Sequence, residues 1–254
     1  MISFAIPNFN RSTNIINLIN HHQKNKQIKE ILICDDNSNK EIVENLKNYI
    51  INKPKVKFIE NKENLGPFRN KLRTVKNCSQ EWVILCDSDN FIDQTYIYIL
   101  FQENKWEKNI LYCPDFAKPR FNYKQFSNFI IKNFDDLAYV NRTGSGPAFL
   151  NTGNFFFNKN NYIKNSESIL NEFQFDYGSH DVIIFNYSWI KNGNKIKCIK
   201  NLEYTHNITI DSITNKDSIK NKESYYKRLN MINKIIEICP YKKIGNINKI
   251  GDLE

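Results

Sequence analysis

Residues 30–38 read Glu30-Ile31-Leu32-Ile33-Cys34-Asp35-Asp36-Asn37-Ser38, and residues 82–89 read Trp82-Val83-Ile84-Leu85-Cys86-Asp87-Ser88-Asp89. Each is a short, unbroken apolar run that stops at an acidic turn. Apolar runs of this length bounded by turn formers suit strands buried on both faces, as in a parallel sheet. One Asp, Asn and Ser cluster behind one strand is an ordinary turn or helix cap. Two such clusters behind two buried strands point to a site, because ligands of open α/β sheets bind beyond the carboxyl ends of the strands.

The surrounding sequence alternates in the same sense. Ile2 to Ile6 is a first strand, Pro7-Asn8-Phe9-Asn10-Arg11 a turn, and Ser12 or Thr13 an N-cap for a helix with Ile15, Ile16, Leu18 and Ile19 inward. A helix from about Lys40 to Ile51, a strand Lys55 to Glu60, a helical stretch over 64–78 and a helix from about Asp93 to Trp106 follow, then a strand near Ile110 to Tyr112. From Pro114 to Asn151 the pattern is aromatic and irregular, with one helix expected around Tyr123 to Phe134. Beyond it come an apolar segment Asn154 to Phe157, a helix starting near His180, and a last strand Lys195 to Ile199; residues from about 211 read as a polar linker, a helix over 218–238 and a tail. The expected architecture is α/β, with a mostly parallel central sheet flanked by helices.

The chain has 254 residues, 41% hydrophobic and 13% aromatic, enough for a large folded domain and unlike a disordered chain. Its Asn, Ile and Lys richness is dispersed through periodic segments, as codon bias would leave it. The net charge of +9 is spread over every segment, with no zinc finger, RNA-binding aromatic motif or basic helix, so no nucleic-acid partner is expected. Six cysteines, without a Cys-x-x-Cys pair, read as reduced core residues. The apolar part of the N-terminus is too short for a signal peptide and no run matches a membrane span, so a cytoplasmic location is expected.

Five pieces, in order, resemble the family 2 glycosyltransferases, which have the GT-A nucleotide-sugar-binding fold. They are Ala5-Ile6-Pro7-Asn8-Phe9-Asn10, Ile33-Cys34-Asp35-Asp36-Asn37-Ser38, Asn64-Leu65-Gly66-Pro67-Phe68-Arg69-Asn70, the run ending Asp87-Ser88-Asp89, and Gly178-Ser179-His180-Asp181. An isolated D-x-D occurs by chance in many proteins; the ordered set covers residues 1 to about 206. The resemblance implies a nucleotide-sugar-binding half over 1–113 and an acceptor-binding and catalytic half over 114–210, and the local pattern adds a C-terminal helical extension over 211–254.

It also implies roles. Asp89 is the metal ligand expected, with Asp87 near ribose and metal, and Asp35, preferred to Asp36, at the nucleobase edge. Arg69 belongs near the base or phosphates, although its glycine-to-arginine spacing is shorter than the family's commonest. Pro7, Asn8, Asp36 and Ser88 join the donor site, with Gly153 and Asn154 near the sugar. His206 matches a histidine that completes the metal or diphosphate site in many members; by residue type alone it is equally a structural histidine. Asp181 is the expected base, with His180 where the family usually has a first acid; at a helix start it could also be a dipole-stabilised cap.

The chemistery asked of these residue types is coherent. A departing nucleoside diphosphate needs its charge neutralised, which Mn2+ or Mg2+ held by a few carboxylates does. The expected activity is an inverting, metal-dependent transfer from a nucleotide-sugar, UDP-linked by default, to a glycan or other hydroxyl acceptor. Two alternatives remain at this point. A nucleotidyltransferase usually opens with a Gly-rich phosphate loop, which Pro7-Asn8-Phe9-Asn10 lacks, and a non-catalytic binding module would not need Asp87, Asp89 and Asp181 together.

Overall fold

A computed structural model of the chain describes residues 1–119, 121–142, 154–172 and 181–207. The first four strands are β1 (Ile2–Asn8), β2 (Ile28–Asp35), β3 (Val56–Glu60) and β4 (Trp82–Leu85), separated by helices α1 (Thr13–His22), α2 (Lys40–Ile50) and α3 (Pro67–Asn77). They pair in parallel in the order β3-β2-β1-β4. Helix α4 (Gln94–Gln102) follows, capped by the Asp93 carboxylate, which accepts from the Tyr96 N–H at 3.0 Å.

The sheet then continues through β5 (Ile110–Lys118), β8 (Phe156–Asn158) and β9 (Lys195–Thr205), with short strands β6 (Phe121–Asn122) and β7 (Ile130–Ile131) at its margin. The full path is β3-β2-β1-β4-β8-β5-β9-β7, with β6 on β5. Strand β8 is antiparallel to both β4 and β5, whereas β5 and β9 are parallel. Helices α5 (Phe134–Arg142), α6 (Lys159–Glu172) and α7 (Asp181–Lys191) complete the described chain. This is the GT-A type of sheet that the resemblance implies.

Alternation along the strands divides the core in two. On β1, Ile2, Phe4 and Ile6 join Ile15, Leu18 and Ile19 of α1 and Tyr96, Ile97 and Leu100 of α4 on one face. Ala5, on the other face, joins Phe68 and Val75 of α3, Tyr162 and Ile169 of α6, and Ile184, Phe185 and Trp189 of α7. Cys34, Cys78, Cys86, Cys113 and Cys198 are buried and unpaired. Among the described residues no helix is long and apolar enough to cross a membrane.

The middle of the chain departs from expectation. The helix expected over Tyr123 to Phe134 is a single 3-10 turn, Lys124–Phe126, and the helix lies over Phe134–Arg142 instead. Buried Asp115 explains the shift: its backbone carbonyl accepts from the Tyr123 N–H at 2.8 Å and its carboxylate from the Ser127 hydroxyl at 2.7 Å. Asn128 then takes a left-handed conformation (φ 65°), which stops a helix, and Ile130–Ile131 pair with β9. Strand β5 runs past Pro114 because the register shifts between Pro114 and Phe116, and a proline is tolerated at such an irregularity. Helix α6, rich in Asn, Lys and Ser, has no sequence expectation behind it. The expected helix over 218–238 lies outside the described residues.

Candidate active site

The chain builds β1, β2 and β3 outward on one side and then returns to place β4 on the other side of β1. The carboxyl ends of β1, β2 and β4 therefore meet at a switch point of the sheet, where α/β folds bind ligands. Asn8, Asp35 and Asp87 stand at those three ends.

The β1 and β2 ends form a closed polar floor. Asp35 is fully buried; its Oδ1 accepts from Asn8 Nδ2 at 2.8 Å and the Ser38 hydroxyl at 2.6 Å, and its Oδ2 from the Ser38 N–H at 2.8 Å. Asp36, also buried, accepts from the Leu65 N–H at 2.8 Å, Asn61 Nδ2 at 2.6 Å and the Gly66 N–H at 3.0 Å. Burial raises the Asp36 pKa, although these hydrogen bonds work against the rise. Gly66 sits at φ 79°, a left-handed conformation that turns its N–H to Asp36 before Pro67 opens α3. Asn70 of α3 donates to the Cys34 carbonyl at 3.1 Å and accepts from Asn61 at 3.0 Å. Asp36 thus anchors the 61–66 loop, and Asp35 fixes the turn that carries Ser38. The loop after β1 lies over this floor through Asn10, whose N–H donates to the Ser38 hydroxyl at 2.7 Å, and leaves Phe9 exposed.

The β4 end is held from three sides. Asn14 of α1 donates to the Ser88 and Asn90 carbonyls at 2.9 and 2.8 Å, and the Asp87 N–H donates to Asn154 Oδ1 at 2.9 Å. Asn207 donates to the Asp89 carbonyl at 2.8 Å, and Phe91 and Thr205 form an antiparallel bridge, so the end of β9 returns to this loop. Ser88 is buried, whereas Asp87 and Asp89 keep 32% and 17% of their side chains exposed. The two carboxylates face different cations. Arg11 lies 3.2 Å from Asp89 Oδ2, and Lys71 of α3 lies 3.3 Å from Asp87 Oδ1. Burial, then repulsion from Asp87, raises the Asp89 pKa, and the charges of Arg11 and His206 oppose the rise. His206 directly precedes Asn207, which is bonded to the Asp89 carbonyl, and its ring lies edge-on to Phe121 at 5.4 Å.

The third component comes from 110 residues farther along the chain than Lys71. Lys71 Nζ donates to Asp181 Oδ2 at 2.8 Å while holding Asp87, so one ammonium joins the β4 loop to the start of α7. Burial lowers the pKa of this lysine, and Asp181 and Asp87 more than offset it, so the pKa is raised. Phe68, Leu85, Phe155, Tyr162 and Phe185 wall the cleft around the three charges.

The structure therefore brings Asp87, Asp181 and Asn154 around one cleft, with Asp89 and His206 beside it and Pro7, Asn8, Asp35 and Asp36 in the adjoining floor. Arg69 is exposed on α3 and has no ion pair among the described residues. Gly153 and His180 lie outside the described residues. Sequence reasoning assigned no role to Lys71, Arg11, Asn14, Asn61 or Asn70, although Arg11 and Asn70 stand within the quoted turn and motif. Lys71 is one basic residue among 36 and carries no local signal; Asn70 could have been noticed as a polar residue on the buried face of α3.

The profile of Glycosyl transferase family 2 matches residues 3–165, well over half of the chain and including β1, the acidic strand ends and α3. The chain belongs to this family. As a family 2 glycosyltransferase it is also similar in structure to S. aureus TarS 1-349, at a TM-score of 0.60 and 16% identity over 95% of this chain and 66% of that one. The same TarS fragment in complex with UDP-GlcNAc superposes at a TM-score of 0.65 and 16% identity, over 95% of this chain and 68% of that one. The chain spans about two thirds of the length of those fragments, and 40% of a longer S. aureus TarS structure. At this identity the likeness establishes the fold of the glycosyltransferase. No curated protein matches its sequence.

Proposed function

We propose that this family 2 glycosyltransferase is inverting and metal-dependent, and moves a sugar from a UDP-sugar to an acceptor hydroxyl. The observation that carries the reading is the shared ammonium of Lys71. It links Asp87, at the donor-side strand end, to Asp181, at the first residue of α7, so a candidate base faces the donor loop across one cleft. Similarity to structures crystallised with UDP and with UDP-GlcNAc supports the choice of donor class.

Exposed Phe9 offers a face for the nucleobase to stack on, and Asp35, Pro7 and Asn8, buried beneath it, hold the turn that shapes this end of the donor site. Arg69 of α3 and Arg11 of the loop after β1 are assigned to the base or diphosphate. Asn154, held by its Oδ1 at the Asp87 N–H, and Gly153 are assigned to the sugar.

The donor set suits a hard divalent ion. Asp89 is a partly exposed carboxylate beside His206, and Mg2+ or Mn2+ is usually bound by one or two carboxylates plus substrate phosphates. Among the described residues no three His, Cys, Asp or Glu side chains are grouped so as to hold a metal ion on their own. Asp89 would hold the ion together with phosphate oxygens of the donor, with Asp87 and His206 as neighbours of that ligand, and the ion when bound would supply charge neutralisation to the departing diphosphate.

Asp181 then takes the proton of the acceptor hydroxyl. The acceptor oxygen bonds to the anomeric carbon as the carbon–phosphate oxygen bond breaks on the opposite face, and the electron pair leaves with the diphosphate. Configuration inverts. Apolar walls from Phe68, Leu85, Phe155 and Phe185 limit water at this point. General-base assistance of this kind contributes about 10²–10⁴-fold.

A thermal-shift and calorimetric panel of nucleotide-sugars with Mn2+ tests the reading. A UDP-sugar at 100 times its dissociation constant should stabilise the protein by about 2.7 kcal/mol. Asp89→Asn should remove the metal-dependent part of the binding. No response to any nucleotide-sugar, or an unchanged metal dependence in the variant, would count against the proposal.

A further inference from the structure

We propose that Lys71 is the positioning residue of the acceptor-side base, fixing the Asp181 carboxylate so that one oxygen is held and the other is left to the acceptor. The inference rests on the reading of Asp181 as the base.

Three observations carry it. Lys71 is only 12% exposed, and a buried ammonium is costly unless it is paired and hydrogen-bonded. It projects from the middle of α3, where it caps no helix end, and its partners are two carboxylates from separate parts of the chain. Its contact with Asp181 is the closer of the two, at 2.8 Å to Oδ2 against 3.3 Å to Asp87 Oδ1. On this proposal the held Oδ2 fixes the rotation of the carboxylate, and Oδ1 is the oxygen that meets the incoming hydroxyl.

The charge balance of the reaction suits this arrangement. Before transfer, Lys71 neutralises part of the negative charge of Asp181 and Asp87. As the acceptor O–H bond breaks, its proton goes to Asp181 Oδ1 and that carboxylate becomes neutral. The electron pair of the broken anomeric bond goes to the diphosphate on the Asp87 side. Negative charge thus passes from one side of Lys71 to the other while the ammonium keeps its proton. Orientation of this kind has large rate consequences, since a displacement of about 1 Å can cost about a hundredfold.

The test is single-turnover cleavage of UDP-GlcNAc, with water as the acceptor, alongside calorimetry of UDP with Mn2+. Lys71→Met should slow cleavage about tenfold to a hundredfold and change UDP affinity less than about threefold, and Lys71→Arg should recover part of the rate. In an Asp181→Asn background, Lys71→Met should add almost nothing, because the group it positions is already gone. Should Lys71→Met fail to fold, Lys71→Gln is read in the same way, since it keeps a hydrogen-bond donor but not the charge. A rate within threefold of the parent, an equal loss in the Asp181→Asn background, or a matching loss of UDP affinity would overturn the positioning role. If Asp181→Asn alone keeps its rate, the assignment of the base fails first, which separates the two outcomes.

Discussion

Arg11 and Asp89 form an ion pair at 3.2 Å that joins the loop after β1 to the loop after β4. The guanidinium occupies one oxygen of the carboxylate best suited to a divalent ion, so protein cation and metal ion compete for the same charge. Arg11→Gln should therefore strengthen Mn2+ binding measured without nucleotide, by several-fold, the scale of one partly exposed charge pair. The same change should weaken UDP binding in the absence of metal, because a cation beside the diphosphate is lost. Calorimetry of the two ligands separates the effects, and weaker Mn2+ binding in the variant would contradict the competition.

Asp36 holds the 61–66 loop with hydrogen bonds from two backbone N–H groups and Asn61. In Asp36→Asn one acceptor oxygen becomes a donor that faces another donor. Leaving such a buried group unsatisfied costs about 1–3 kcal/mol. Urea unfolding should show a loss of this size, and a loss below about 0.5 kcal/mol would mean that the loop re-forms without the carboxylate.

His22 gives the fold a pH dependence. The ring is buried against Phe4, with Nε2 at 2.8 Å from the Ile92 carbonyl, and burial is the main cause of a pKa lowered to about 4. The unfolded chain protonates this group near 6.5, so between pH 6.5 and 4 the unfolded state binds more protons and stability falls as the pH falls. From pH 7 to pH 5 this one group should cost the parent about 2 kcal/mol that His22→Gln does not lose. Urea titrations of both proteins at the two pH values check it; parallel losses would place the protonated ring in the folded state.

The legible part of this fold is its first 110 residues, for a physical reason. Strands β1, β2 and β4 are largely buried on both faces and read as apolar runs, edge strand β3 is half-buried and mixed, and each intervening helix shows one apolar stripe. Asp35, Asp87 and Asp89 were legible because they interrupt such runs at strand ends. The stretch around Tyr123 was not, because its aromatic spacing fits a helix and its conformation is set instead by Asp115, Asn128 and pairing to β9. Lys71 was invisible for a related reason: its meaning depends on Asp181, 110 positions away, and on Asp87.

The role of Asp181 is the central claim, and Asp181→Asn tests it most directly. Asn can still occupy a helix start, so the fold and the donor floor should persist while the basic oxygen is lost. Single-turnover cleavage or transfer from UDP-GlcNAc and a UDP–Mn2+ binding isotherm are to be measured on the same preparation. The account requires turnover to fall about a hundredfold or more, with affinity unchanged within about threefold, because an acceptor-side base acts in the transition state and little in donor binding. Turnover within a few-fold of the parent would contradict it and leave Asp181 as a helix-start carboxylate paired with Lys71.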